Sequence, residues 1–242
     1  MKTRVRKLRA AQWMGPGVVA MALMAACGGG GDSGGGPVTT STTASGKISG
    51  TAAVGAAMAN ASITVACAQG TGASTATATG AFTVSLAFSG TCAITGSTGT
   101  ATLHSLANGS GTFNVTPLTE LMLVYLAGEL GTDLNGLLGG LGSNTAYQSA
   151  VANSANLSAA QGGVATVLKS MFNITLSTSA FLTTAFTPGQ PGADADLDAL
   201  QAAGAFTSAG TPSAALLSTV AAAGTAANRP TGGTGGSTSG TP

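Results

Sequence analysis

Residues able to do chemistry are scarce in this chain: three cysteines, one histidine and seven carboxylates among 242 residues. Every imidazole-dependent mechanism must therefore pass through His104. A Ser-His-Asp arrangement needs an acid that orients the ring and a hydroxyl that meets it. The carboxylate nearest to His104 in sequence is Glu120, and no serine sits in a Gly-x-Ser-x-Gly elbow. Asn108-Gly109-Ser110-Gly111 reads as a hairpin turn rather than a nucleophile loop. His104 is expected on a strand, half exposed, in a protein that is not an enzyme. A hydrolase whose pocket joins His104 to a Ser or Thr hydroxyl is the catalytic alternative.

Metal and phosphate chemistry find little support. Asp194, Asp196 and Asp198 alternate as at the start of a calcium loop, but that loop needs Gly at its sixth position and Glu at its twelfth. Ala199 and Ala205 stand there instead. If the segment is helical, these acids are expected to cap and charge its first turn. One histidine and two oxidisable cysteines do not make a transition-metal site, and no Gly-rich stretch is followed by Gly-Lys-Ser/Thr. No metal and no cofactor are expected.

The three cysteines divide by position. Cys27 closes an N-terminus laid out as a secretory signal. Lys2, Arg4, Arg6, Lys7 and Arg9 form a basic start; Val18 to Ala26 is an uncharged apolar run ending in Ala25 and Ala26. That run is about half of the roughly 20 residues a spanning helix needs. The arginines are not a twin pair, so the general secretion route is expected. Removal of the signal leaves Lys47, Lys169 and Arg229 against seven acids, three minus seven, or −4. Nucleic acid is excluded as a partner, because phosphate binding needs clustered Lys and Arg.

Cys67 and Cys92 share the parity of apolar residues on neighbouring predicted strands. An exported pair of this kind is expected to oxidise, which would stabilise the fold by about 3 kcal/mol in the loop-entropy model. Two buried thiols are the alternative. A redox-active pair lacks both the Cys-x-x-Cys spacing and a nearby base.

The elements that must position these residues follow from periodicity. Ile63, Val65 and Cys67 alternate with Ser62, Thr64 and Ala66; Phe82, Val84 and Leu86 alternate with Thr83 and Ser85; Cys92 and Ile94 share one face. Period-two patterning marks strands with one buried face, and glycines such as Gly55, Gly80, Gly90 and Gly109 separate the runs. Short strands at this spacing predict a β-sandwich. The pattern then changes. Thr116-Pro117 reads as an N-cap with Pro at the first helical position, opening an apolar helix from Leu118 to Leu130. Such a helix is expected to be buried between the β-region and later helices, with a membrane or partner-docking role as the rival. Ser158 and Gln161 have capping-box spacing before another helix. Asp194 to Ala203 and Thr211-Pro212 to Ala223 predict two more, while GLLGGLG and TPGQPG read as loops.

The predicted organisation is a signal segment 1–26, a tether 27–46, a β-sandwich domain 47–115, an α-helical region 116–223 and a disordered tail 224–242. The Gly/Ser/Thr-rich tether is expected to behave as a coil spanning roughly 25 Å. The fold class is α+β, with an Ig/transthyretin-like sandwich followed by helices. Charged residues make up 6% of the chain and aromatics 4%, with 38 glycines. Small side chains must therefore build thin sheets and close helix contacts.

Two resemblances bear on these segments. Leu23-Met24-Ala25-Ala26-Cys27 resembles the lipobox of bacterial lipoproteins, which implies diacylation of Cys27 and its exposure as the new N-terminus. A non-Asp residue after the cysteine, here Gly28, implies sorting to the outer membrane in that family, and the Gly-rich run resembles surface lipoproteins of β-proteobacteria. Residues 46–95, through GKISG, AMANASITV, STATATGAFTVSL and FSGTCAIT, resemble the carboxypeptidase regulatory-like (transthyretin-like) β-sandwich. The family's acidic residue is missing and Phe82 stands where it has Tyr. That resemblance implies a non-catalytic accessory or adhesive domain. The combined expectation is a non-enzymatic outer-membrane lipoprotein that binds, scaffolds or adheres, held to the membrane by its lipid. Its partner would be an envelope protein or glycan. An accessory subunit of an envelope or secretion complex, docking through Leu118–Leu130, is the alternative.

Overall fold

The computed structural model describes residues 44–227. The signal segment, Cys27, the tether up to residue 43 and the tail beyond residue 227 lie outside the described residues. Within them the fold is mixed α/β, with six strands followed by six helices. The strands are β1 (Ala44–Thr51), β2 (Ser62–Gln69), β3 (Thr71–Thr75), β4 (Ala81–Ser97), β5 (Thr102–Ala107) and β6 (Gly111–Thr112). The helices are α1 (Pro117–Glu129), α2 (Leu134–Gly140), α3 (Thr145–Ala152), α4 (Ser154–Phe172), α5 (Ala193–Ala202) and α6 (Ala214–Ala227).

The 17-residue β4 organises the sheet. Its first half, Ala81 to Phe88, runs antiparallel to β1. Its second half pairs with β2 on one side and β5 on the other. Gly90 lies at the changeover with φ +76°, a left-handed conformation that glycine adopts without a Cβ clash. The facing strand is irregular at the same place, its register shifting between Cys67 and Gln69. Together these let one strand serve two ladders. The alternating residues predicted to face inward do so: Ile63, Val65, Phe82, Val84 and Ile94 are buried in one core with Ile48.

After β5 the chain crosses to the far side of β1, where β6 pairs with it in parallel. Asn108 to Gly111 therefore does not close a hairpin between β5 and β6, as the sequence suggested. It redirects the chain, and the pairing continues through Phe113 and Val115, whose N–H groups donate to Ser49 and Thr51.

Thr116 caps α1 as expected, with Pro117 at its start. The reciprocal partner is Thr119, whose hydroxyl accepts from the Thr116 N–H at 2.9 Å. All 13 residues of α1 are buried, against β5 and helices α2, α4 and α6. Leu123 is fully enclosed, so the surface considered for docking is internal. Here the excess of small residues acquires a structural purpose. Gly128 of α1 meets the backbone of α6 at Ala221 and Thr225, and a Cβ on Gly224 would collide with the Tyr125 carbonyl. Backbones can approach this closely only where side chains are absent.

Several boundaries differ from the sequence reading. β1 begins at Ala44, inside the predicted tether, and α6 runs through Gly224 to Ala227, inside the predicted tail. The GLLGGLG stretch is not a loop: Asp133 caps α2 by accepting from Gly136 N–H at 2.7 Å, and buried Leu137 anchors it. Burial of one leucine face outweighs the poor helix propensity of glycine. Helix α3 had no predicted counterpart. Ser158 and Gln161 form no capping box, because α4 starts earlier, at Ser154 behind the Asn153 cap. Thr211-Pro212 does not open α6 either; Pro212 bridges to Phe206, and the helix begins at Ala214.

Candidate functional site

A cleft of about 580 Å³ opens where the β4 changeover, the turn after β5 and helix α3 converge. Phe88, Ser89, Gly90 and Thr91 form one wall, Asn108, Gly109 and Ser110 another, and Gln148, Ser149 and Ala152 the third. Each wall exists for a local reason. Gly90 turns β4 out of its first ladder. The Asn108–Ser110 turn carries the chain over to β1. Asn144 caps α3 by accepting from the Ala146 and Tyr147 N–H groups.

The lining holds no charged side chain. Its polar groups are hydroxyls and amides, which can both donate and accept. Gln148 has one end committed, since its Nε2 donates to Leu141 O at 3.0 Å. Thr91 is 3% exposed, and among the described residues its hydroxyl has no hydrogen-bond partner. A buried hydroxyl left this way costs about 1–3 kcal/mol.

Away from the cleft, the structure brings His104 to Glu120. His104 Nδ1 lies 3.0 Å from Glu120 Oε2, and the same oxygen accepts the His104 backbone N–H at 2.5 Å. Thr119 Oγ1 adds a donation to His104 O at 3.0 Å. The first turn of α1 thus satisfies the edge of β5 that β4 does not pair. A carboxylate on Nδ1 is also the orienting half of a catalytic triad. Among the described residues, however, no hydroxyl hydrogen-bonds the imidazole ring. His104 is half-buried on a strand, as its place in the sequence suggested.

The three aspartates of α5 are not gathered around one point. Asp194 Oδ2 accepts from Gly189 N–H at 2.6 Å, and Asp196 Oδ2 accepts from the Ser177 N–H and hydroxyl. Asp194 and Asp196 charge the first turn as expected, but no side chain caps the helix at Gly192. Their hydrogen bonds tie two points of the connection between α4 and α5, Ser177 and Gly189, to α5. Burial raises the Asp194 carboxyl above its ordinary value; the Gly189 hydrogen bond opposes this and the Asp198 charge adds to it. The folded state therefore holds the Asp194 proton more tightly than the unfolded chain does. Stability falls as pH rises from the unfolded value, about 4, through the folded one, and stays lower above it. Replacing Asp194 by Asn keeps the acceptor for Gly189 and removes the titration. In melts across that range, the midpoint of Asp194→Asn relative to the parent should climb with pH; a constant difference would contradict this.

Cys67 and Cys92, register partners on β2 and β4, form a disulfide. Among the described residues, no cluster of three His, Cys, Asp or Glu side chains is arranged to hold a metal. No family model, curated protein or solved structure matches the chain significantly.

Sequence reasoning missed Thr91, Gln148 and Ser149, since the cleft depends on the unanticipated α3. It also missed Asn114, and it read Gln161 as half of a capping box rather than as the acceptor for Leu182 N–H. Asn114 is fully buried and Gln161 nearly so, and both bind the loop 181–184. A lone amide in an apolar run was the available signal for Asn114.

Proposed function

We propose that this chain is a non-enzymatic lipoprotein of the outer membrane, diacylated at Cys27, that binds, scaffolds or adheres at the cell envelope. The observation that carries the reading is the Cys67–Cys92 bridge. Stable disulfides belong to oxidising compartments, and this one lies in a chain whose first residues have the layout of an export signal. Among the described residues, no helix is long and apolar enough to cross a membrane. In this reading the acyl chains hold the protein at the membrane, two of them anchoring where one binds only marginally. The two ladders sharing β4, with their apolar faces in a common core, favour an Ig/transthyretin-like sandwich for the β-region.

Cys27→Ser tests this reading. The variant should lose acyl mass, accumulate as unprocessed precursor and leave the outer-membrane fraction. Normal processing and unchanged fractionation of the variant would overturn the proposal.

A further inference from the structure

We infer that the cleft between the β4 changeover, the turn after β5 and α3 is a binding site for a neutral saccharide. The inference rests on the binding role proposed above and names its ligand class. The volume of about 580 Å³ falls within the range of small-ligand sites, about 300–1,000 Å³. Charge complementarity argues against ions of either sign, since neither a carboxylate nor a basic group lines the walls.

What lines them instead suits sugar hydroxyls. Ser89, Thr91, Asn108, Ser110, Gln148 and Ser149 present groups that donate, accept or do both. With Nε2 bound to Leu141, Gln148 has its carbonyl oxygen left as an acceptor.

A peptide is less well served. Strand addition requires a free sheet edge, yet β4 next to the cleft is flanked by β2 and β5 at Cys92. Apolar side-chain pockets are also missing, because Phe88 is largely buried and Ala152 is small.

The test uses the full processed protein in detergent, titrated calorimetrically with neutral oligosaccharides of glucose and N-acetylglucosamine. A panel of uncharged peptides and a polyuronate serve as comparisons. Binding of a neutral saccharide is expected, weakened at least about tenfold by Ser149→Trp, which fills the cleft from an exposed helix position. Asn108→Ala should also weaken binding without lowering the thermal midpoint of the free protein, since Asn108 lines the cleft from an exposed turn position. No saccharide binding, or binding indifferent to both substitutions, overturns the inference. Peptide binding blocked by Ser149→Trp overturns the saccharide class while leaving the broader binding role intact. The Cys27→Ser fractionation stands apart from every one of these outcomes.

Discussion

Asn114→Ala is expected to destabilise the protein by about 3–4 kcal/mol, among the largest effects of any single polar substitution. Asn114 has no solvent exposure. Its Oδ1 accepts from Thr51 N–H at 3.2 Å, and its Nδ2 donates to Phe181 O at 3.0 Å and Thr184 O at 2.8 Å. Truncation strands one donor and two acceptors, and each buried orphan costs about 1–3 kcal/mol before any relaxation. The neighbouring bonds show what is at stake. Gln161 Oε1 accepts from Leu182 N–H, Thr51 Oγ1 donates to Phe186 O, and Asn114 N–H donates to Leu182 O. These contacts hold buried Phe181 and Leu182 in the core between the strands and α4.

Asn114→Asp should be comparably damaging at neutral pH, because a carboxylate would face two carbonyl oxygens. It should recover partly in acid, where the protonated group regains one donor. Denaturant melts followed by circular dichroism measure both variants. A loss below about 1 kcal/mol for Asn114→Ala would mean that the 181–184 loop is held by its apolar residues alone.

Breaking the Cys67–Cys92 bridge should destabilise the protein by about as much as losing the Asn114 network. The sequence separation is 25, and loop closure of that length stabilises by about 3 kcal/mol through the unfolded state. Cys92 is also fully buried, so Cys67→Ala/Cys92→Ala removes packing as well. Reduction alone isolates the entropic part. The reduced protein should unfold at lower denaturant, with a steeper dependence, because its unfolded chain is more expanded. The bridge sits beside Thr91 and the Gly90 changeover, so loss of rigidity in the cleft should accompany it. Equal midpoints with and without reductant would show that the two thiols are not joined in solution.

Both predictions concern residues that sequence reading treated very differently. The cysteine pair was legible because strand parity is local: residues two apart share a face, and Cys67 and Cys92 continue the buried faces of their own strands. Asn114 was opaque because its meaning is entirely long-range. Its side-chain partners lie 63, 67 and 70 positions away. Glu120 was nearest to His104 among the acids, yet only the docking of α1 on β5 turned proximity in sequence into contact.

The same division holds for the fold as a whole. Alternation of apolar residues determined the strands, Thr116-Pro117 determined the start of α1, and the all-round apolarity of that helix determined its burial. Such features follow from backbone geometry within a few residues. Tertiary structure alone decided that β4 serves two ladders, that β6 returns in parallel beside β1, and that Gly-rich α2 is helical. It alone joined β4, the turn after β5 and α3 around one neutral cleft. The physical reason is that pairing and packing free energies are collected between distant segments, where they override the weak local preferences of a chain built from small residues.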